Sequence, residues 1–279
     1  MNKIFAAVQL LRPLNIFQSI IAVFITAALF PGFPDLTTII LAAAVTSAFL
    51  AGGNAINDYF DYNTDLTNRP GRPLPSKTLT KPSVILITSI CFIIGIILFI
   101  PVATRLSASI LVINLILLII YTPLLKPTLF FGNLTVSYLL GSVFLFASEI
   151  FGDYRVGIIP GLLAFFFNLV RELIKDMEDL KGDRDTGVNT IPVQLGLPAS
   201  RQIAFFLLIL IIAFCLVPYT FNIYGVYYLI AVIISVEIPL FFVLYLLLNS
   251  EKKSDFSQLS RIMKLLVFCG LFSIFLGKF

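Results

Sequence analysis

The sequence predicts an all-α, polytopic membrane protein with nine transmembrane helices. Hydrophobic residues make up 59% of the 279 residues and charged residues only 12%, which is about half the charged share of an average soluble domain. Apolar runs of about 16 to 22 residues recur along the whole chain, and a helix of that length crosses the apolar layer of a bilayer. Composition and run length together exclude an ordinary soluble domain.

Prolines and glycines punctuate the apolar runs and set the predicted helix boundaries. Residues 1–12 carry no cleavage-type motif of small residues before the first long apolar run, so we interpret them as an amphipathic lead-in to the first helix and not as a removable signal. Two connections, residues 58–82 and 176–200, are long and polar. The nine predicted spans cover residues 13–32, 36–57, 83–102, 106–121, 132–150, 156–175, 201–218, 223–248 and 260–277.

The available side chains limit the chemistry. The chain has no His, and Cys91, Cys215 and Cys269 lie inside apolar runs without the spacing of metal ligands. Acid–base or metal chemistry must therefore depend on carboxylates, Lys, Arg, Tyr and Asn.

The distribution of basic residues predicts the orientation. With the N-terminus inside, all Lys and Arg except Arg105, Arg155 and Lys278 fall in cytoplasmic segments. Both long polar connections then open to the cytoplasm.

Two acidic segments share one spacing and carry most of the functional signal. Each has four polar side chains at i, i+4, i+7 and i+11, which places them on one face of an α-helix. Carboxylates held together in this way are stable when cations neutralise them, so two facing stripes would suit Mg²⁺ and a polyphosphate. The alternative is solvated charge at helix ends. The positions are Asn54, Asp58, Asp61 and Asp65 in the first segment and Glu172, Asp176, Asp179 and Asp183 in the second.

A basic loop follows the first acidic segment. In Arg69-Pro-Gly-Arg72-Pro-Leu-Pro-Ser76-Lys77, three prolines stiffen a loop that carries three cations. Such cations beside a carboxylate–Mg²⁺ cluster suit a diphosphate, whose negative charge must be held as its bond breaks. A juxtamembrane segment that contacts anionic lipid would not need the prolines.

Several single residues are candidates for the same site as the acidic segments and the basic loop. Tyr121 and Lys126 end the fourth predicted span, where an interfacial anchor is an equal alternative. Basic and amide side chains near the acidic segments could hold an anionic acceptor, although each could equally have a helix-end or packing role. The candidate acceptor contacts are Arg12, Asn15, Asn54, Asn168, Arg171, Glu172 and Lys175.

The offset of 118 positions between the acidic segments suggests an internal duplication. We expect one transmembrane domain, residues 1–279, with parallel pseudo-repeats at about 1–121 and 132–248. An even number of spans separates the acidic segments, so the repeats would be parallel and not inverted as in many transporters.

At this point the sequence resembles the UbiA superfamily of intramembrane prenyltransferases over essentially its whole length. The motifs that carry the resemblance are Asn57-Asp58-x-x-Asp61-x-x-x-Asp65, Arg69-Pro-x-Arg72-Pro-Leu-Pro-Ser76, Tyr121-x-x-x-x-Lys126 and Asp176-x-x-Asp179-x-x-x-Asp183. The resemblance implies nine helices around a central cavity that opens laterally to the bilayer, with two Asp-rich motifs that bind Mg²⁺ and the diphosphate of a polyprenyl donor.

The resemblance also implies roles for individual residues. The acidic residues expected to act in catalysis are Asp61, Asp65, Asp179 and Asp183. The expected metal site comprises Asn57, Asp58, Asp61, Asp65, Asp176, Asp179 and Asp183. The expected diphosphate contacts are Arg69, Arg72, Lys77, Tyr121 and Lys126.

Within the superfamily, the lead-in Arg171-Glu-Leu-Ile-Lys-Asp176 resembles the branch of ether-lipid biosynthesis. That branch implies transfer of a geranylgeranyl group from geranylgeranyl diphosphate to the sn-2 hydroxyl of geranylgeranylglyceryl phosphate, a lipid-soluble acceptor. The expected partners are these substrates and membrane lipids, with no nucleic acid. One alternative is an aromatic or chlorophyllide acceptor at the same donor site. A more distant alternative is a cation-coupled transporter, which the position of the carboxylates at one face disfavours.

Overall fold

The computed structural model describes residues 2–279, and this part of the chain contains helices and turns but no strand. One-turn 3₁₀ segments lie at Ile100–Val102 and Tyr154–Gly157, and one-turn π segments lie at Tyr121–Leu125 and Ile233–Glu237. The α-helices are α1 Lys3–Leu11, α2 Pro13–Ala28, α3 Leu36–Phe60, α4 Tyr62–Asn68, α5 Lys81–Phe99, α6 Arg105–Ile120, α7 Phe131–Ile150, α8 Ile158–Asp185, α9 Ile191–Thr220, α10 Val226–Val232, α11 Ile238–Leu248 and α12 Lys253–Leu276.

The number of spans agrees with the sequence prediction. Eight helical segments are long and apolar enough to cross a membrane, and the bent pair α1–α2 makes a ninth if it is one span. The two helices of this pair meet at 44°. Arg12 stands at the bend in the left-handed conformation (φ 55°), and Pro13 begins α2, where its missing N–H costs no hydrogen bond. The predicted lead-in is therefore a separate helix.

Helix α8 lies at the centre of the fold and packs against α7, α9, α12 and α4. Leu173 and Ile174 of this helix are fully buried in the largest apolar cluster. Helices α7 and α8 approach closely at two glycines, because a Cβ on Gly141 would lie 2.6 Å from the carbonyl oxygen of Gly161. Small residues at such crossings let membrane helices pack backbone to backbone.

Helices α5 and α6 lie at the edge of the bundle. Only 22% of the residues in the apolar stretch of α5, and 11% in that of α6, are buried. Exposed Ile side chains such as Ile97 and Ile116 cover the outer faces of these helices. An apolar surface of this extent is stable in contact with lipid.

The predicted length of the second polar connection is wrong. Residues 176–200 were expected to be a long loop, but α8 continues to Asp185 and α9 begins at Ile191. The connection is therefore five residues, 186–190. Acidic side chains of this part of α8 line a cavity of the protein. This part of the helix is therefore amphipathic and does not have the apolar sequence of a bilayer-spanning run.

The first acidic segment also differs from the single helix that its spacing predicted. Helix α3 ends at Phe60, and Asp61 (φ −76°, ψ 3°) separates it from α4. The backbone N–H of Asp61 still bonds to the carbonyl oxygen of Asn57, at 2.8 Å. The second acidic segment does lie on one continuous helix, as predicted.

Candidate active site

Both acidic segments line one cavity of about 490 Å³, which we call the main cavity. It lies between α3–α4, the end of α6, α7, α8 and α12. Sixteen of the predicted site residues line it: Arg12, Asn15, Asn54, Asn57, Asp61, Asp65, Arg69, Arg72, Tyr121, Lys126, Arg171, Glu172, Lys175, Asp176, Asp179 and Asp183.

The first acidic segment is held by two arginines. Arg72 donates to Asp65 at 2.6 Å and to Asp58 at 3.1 Å, and Arg12 donates to Asp58 at 2.5 Å. Burial raises the pKa of the Asp65 carboxyl, Arg72 opposes this shift, and the nearby Asp61 charge adds to it. Burial alone would lower the pKa of Arg72, but Asp58 and Asp65 raise it above its usual value. The segment therefore combines closely spaced negative charge with its own counter-charge.

The end of α6 brings a lysine to the break between α3 and α4. The π segment Tyr121–Leu125 widens the last turn, and Lys126 follows it and donates to Asp61 at 2.5 Å. Burial alone would lower the pKa of Lys126, but the charge of Asp61 and the hydrogen bond to it raise that pKa. Thr122 on the same turn donates to Asn57 at 3.0 Å. Widened turns of this kind are frequent at functional sites.

Helix α4 and the residue after it join the first segment to the second. Arg69 donates to Asp179 at 2.9 Å, and the Asn68 amide donates to the Asp179 carbonyl oxygen at 3.1 Å. The Asn68 side chain lies directly over Gly182, where any Cβ would collide with it. Asn133 of α7 donates to Asp176 at 2.7 Å. The structure thus brings the two segments together, as their matched spacing predicted.

The candidate acceptor contacts are mostly engaged with one another. Glu172 accepts from Arg171 at 2.8 Å and from Lys175 at 2.9 Å. The Asn54 amide donates to the carbonyl oxygen of Leu11 at 3.1 Å, which ties α3 to the bend between α1 and α2. All the basic residues among these acceptor candidates are paired with carboxylates in this structure.

Three predicted site residues do not line the main cavity. Asp58 is buried (3% exposed) and serves as the common partner of Arg12 and Arg72. Lys77 is exposed in a turn with φ 59°. Asn168 lines a second, smaller cavity of about 150 Å³, which we call the side cavity.

Sequence reasoning missed several polar residues of the main cavity. Ser257, Ser260, Arg261 and Lys264 all lie on α12 and line it. Their i, i+3, i+4, i+7 spacing was the available signal, because it places them on one helix face. The other missed polar residues are Thr46, Thr64, Asn68, Asn114 and Glu178.

One wall of the main cavity is apolar. Helices α3, α6 and α7 supply it, and the charged residues described above line other parts of the same cavity. A charged head and an apolar tail of one ligand could therefore be held at the same time. The apolar wall comprises Val45, Phe49, Leu50, Leu111, Leu118, Val136, Leu139, Leu140, Val143 and Phe146.

The donor set fits a hard divalent cation, although the observed arrangement does not yet form a ligand cage. Five aspartates and one asparagine offer the oxygen ligands that Mg²⁺ prefers. Within residues 2–279, no three acidic side chains are gathered closely enough to hold an ion. Arg69, Arg72 and Lys126 each form an ion pair with one aspartate of the set.

Comparison with known proteins agrees with this architecture. Residues 19–268 match the UbiA prenyltransferase family. Digeranylgeranylglyceryl phosphate synthase of Methanosphaera stadtmanae is 33% identical over 270 residues, which cover 97% of this chain and 98% of that protein. The protein of that name from Methanobrevibacter smithii is 33% identical over 279 residues, which cover 98% of this chain and 97% of that protein.

Solved structures give the same fold. A structure of digeranylgeranylglyceryl phosphate synthase has a TM-score of 0.76 at 30% identity and covers 100% of this chain and 99% of its own. A UbiA homolog from Archaeoglobus fulgidus, solved with GPP and Mg²⁺, has a TM-score of 0.72 at 14% identity and covers 96% of this chain and 99% of its own. At that identity the second likeness shows the fold alone.

Proposed function

The chain belongs to the UbiA prenyltransferase family, and from this premise we propose that it transfers a geranylgeranyl group from geranylgeranyl diphosphate to the sn-2 hydroxyl of geranylgeranylglyceryl phosphate. The protein is a prenyltransferase and an integral, multi-pass membrane protein. Its relatives named digeranylgeranylglyceryl phosphate synthase favour this acceptor over an aromatic or chlorophyllide one. We also propose that the acidic end of the main cavity faces the cytoplasm, as the distribution of basic residues predicts.

One observation carries the proposal. Carboxylates from two segments far apart in the sequence line a single cavity that also holds basic side chains and an apolar wall. A prenyl diphosphate has the matching parts, namely two phosphates and a long apolar chain. A cation-coupled transporter would not need the basic side chains paired with these carboxylates.

We propose that Mg²⁺ is the metal, held by carboxylates of both acidic segments. When bound, Mg²⁺ would neutralise the diphosphate and weaken its bond to the prenyl C1 atom. The proposed ligands are Asn57, Asp61, Asp65, Asp176, Asp179 and Asp183. Asp58 is not a proposed ligand, because it forms ion pairs with Arg12 and Arg72 and holds them beside the site.

The basic residues at the acidic segments take up the remaining charge. Arg69, Arg72 and Lys126 each contact a carboxylate, and each can turn its donors to diphosphate oxygens when a metal takes over that carboxylate. As the C1–O bond breaks, its electron pair stays on the diphosphate oxygen, and these cations stabilise that charge. Tyr121 is buried at the same place, and its hydroxyl can donate a hydrogen bond to the leaving oxygen.

The apolar wall protects the carbon that becomes cationic. Loss of the diphosphate leaves an allylic cation at C1, which water would quench, and side chains such as Phe49 and Phe146 exclude water. The sn-2 hydroxyl oxygen then forms the new bond to C1, and its proton leaves to an aspartate of the cavity or to the released diphosphate. The products are the diether lipid phosphate and inorganic diphosphate.

The experiment is an acceptor panel with the full-length protein in detergent, Mg²⁺ and radiolabelled geranylgeranyl diphosphate. Geranylgeranylglyceryl phosphate, 4-hydroxybenzoate, dihydroxynaphthoate and chlorophyllide are offered in parallel, with Asp61→Ala as the inactive control. We expect labelled product with the glyceryl phosphate alone. Transfer to a ring acceptor would overturn the acceptor assignment and keep the donor site. Absence of donor consumption with every acceptor would favour the transporter.

A further inference from the structure

Two cations of the main cavity have no counter-charge. Eight basic side chains line it, and six of them form ion pairs with Asp or Glu. The other two, Arg261 and Lys264, have no carboxylate within 4.0 Å among residues 2–279. Lys264 is only half-buried and Arg261 is exposed, so both can reach a ligand in the cavity. Unbalanced positive charge at a cavity wall favours an anionic ligand.

Helix α12 presents these cations as a group. Ser257 and Ser260 line the cavity on the same helix face, about two turns and one turn before Lys264, respectively. Gln18 of α2 donates to the carbonyl oxygen of Lys264 at 3.1 Å, which fixes α12 beside α2. Two cations and two hydroxyls on one face offer the donors that a phosphate monoester requires.

A buried arginine nitrogen adds a further donor nearby. Arg171 lines both cavities, and its Nε is buried without a hydrogen-bond partner among residues 2–279. Its Nη1 remains bonded to Glu172 at 2.8 Å. A buried donor without a partner costs stability, and a ligand oxygen could satisfy it.

The side cavity adjoins the main cavity at these basic residues. Lys264, Arg171 and Asn15 line both the main cavity and the side cavity. Beyond them the side cavity is mainly apolar, with walls from α2, α7, α8, α9, α10 and α12 that include Phe144, Phe167 and Leu271. Leu140 and Val143 of α7 also line both cavities, so the side cavity shares an edge with the α3–α6–α7 wall and extends from it towards α8, α9, α10 and α12. The protein thus has two apolar spaces that share this edge and the charged residues Arg171 and Lys264.

We propose that Arg261 and Lys264 bind the phosphate of the lipid acceptor and that the acceptor's apolar chain enters the side cavity. This assignment rests on the proposed function, because it presumes an acceptor with one anionic head and one isoprenoid chain. The donor diphosphate then occupies the acidic segments and the donor chain follows the α3–α6–α7 wall. The two substrates thus use separate cations, which explains why α12 carries charge that the acidic segments do not neutralise.

The test combines binding and kinetics on the full-length protein in detergent. Thermal unfolding is measured with geranylgeranylglyceryl phosphate, with the neutral alcohol geranylgeranylglycerol, with inorganic phosphate and with phosphatidylglycerol, in each case without donor or Mg²⁺. The variants are Arg261→Gln, Lys264→Gln, the charge-preserving Lys264→Arg, and the control Lys253→Gln, an exposed lysine at the start of α12 that does not line the cavity. Acceptor and donor KM values are then compared.

We expect the phosphorylated acceptor alone to raise Tm strongly in the wild type, and Lys264→Gln or Arg261→Gln to remove that rise. Each neutral variant should raise the acceptor KM by about tenfold and leave the donor KM unchanged. The charge-preserving Lys264→Arg should raise the acceptor KM less than Lys264→Gln does, and the control Lys253→Gln should behave like the wild type. Equal binding of the neutral alcohol, equal stabilisation by phosphatidylglycerol or phosphate, or an unchanged acceptor KM would each overturn the proposal. Stabilisation by the phosphorylated lipid without any turnover would instead contradict the proposed function and leave the α12 site standing.

Discussion

Arg69 donates to Asp179 across 2.9 Å and thereby joins the two acidic segments. The contact links the residue after α4 to the middle of α8's polar end, and the neighbouring Asn68 bonds to the Asp179 backbone. Lys126 and Arg72 hold the first segment in the same manner. The cations that we assign to the diphosphate therefore stand beside carboxylates in this structure, and we propose that ligand binding exchanges their partners.

Removal of one aspartate from either segment should abolish most of the activity. Asp61→Ala and Asp179→Ala each remove a proposed Mg²⁺ ligand and free a cation, so we expect kcat to fall by at least about 100-fold. Initial rates of prenyl transfer measure this. Asp185→Ala is the matched control, because Asp185 is exposed at the end of α8 and does not line the cavity. Similar losses in the control would show that the effect is not specific to the site.

Neutralisation of Arg72 should reduce both stability and donor binding. Arg72→Gln leaves Asp58 and Asp65 buried with weaker counter-charge, so we expect a loss of about 3 kcal/mol in the free energy of unfolding and a raised donor KM. Denaturation in detergent and donor titration measure the two effects. Arg72→Lys should recover part of each, and Arg184→Gln, an exposed arginine outside the cavity, should change neither. An unaltered donor KM in Arg72→Gln would exclude Arg72 from the diphosphate site.

Binding of Mg²⁺ should weaken in acid. Burial raises the pKa of Asp65, so this carboxyl takes up a proton at a higher pH than an exposed aspartate does. Protons then compete with the metal, because only the carboxylate is a ligand. We expect the apparent Kd for Mg²⁺ to rise as the pH is lowered from neutrality, measured by calorimetry. Asp65→Asn should bind Mg²⁺ more weakly and with a flatter pH profile, and an unchanged profile would contradict this role of Asp65.

A larger side chain on the α3–α6–α7 wall should shorten the preferred donor. Leu111 lines the main cavity on α6, and Leu111→Trp would fill space that we assign to the prenyl chain. We expect the ratio of kcat/KM for geranylgeranyl to geranyl diphosphate to fall by about tenfold. Ile116→Trp is the control, since Ile116 is 52% exposed on the outer face of the same helix. Equal behaviour of the two variants would place the donor chain elsewhere.

The crossing of α7 and α8 should not tolerate a side chain at Gly141. Its Cβ would lie 2.6 Å from the Gly161 carbonyl oxygen, so the helices must separate, at a cost of about 1–3 kcal/mol. We expect Gly141→Ala to lower Tm in detergent. Gly270→Ala is the control, because a Cβ there meets no atom within 4 Å. An unchanged Tm in Gly141→Ala would show that α8 can move without loss of stability.

The fold class and the acidic motifs could be predicted because both depend on local patterns. Bilayer-spanning helices need long apolar runs, and these are legible in sequence without knowledge of packing. The second acidic segment has the predicted face on one helix, since α-helical spacing fixes which side chains lie together. Predictions failed where a boundary depended on tertiary contacts. Asp61 interrupts the first helix, and α8 extends through the expected loop because its polar face lines a cavity.

The sequence by itself thus determined a multi-span helical membrane protein with two carboxylate motifs and a basic loop. Only the tertiary structure decided which cations neutralise which carboxylates. Arg12 contacts Asp58 across 46 positions and Lys126 contacts Asp61 across 65, and no periodicity specifies pairs at such separations. The contribution of α12 to the cavity could not be predicted from the sequence for the same reason. Lys264 belongs to the cavity because α12 packs against α8 and α2, and which helix faces which is decided by side-chain packing across the whole bundle.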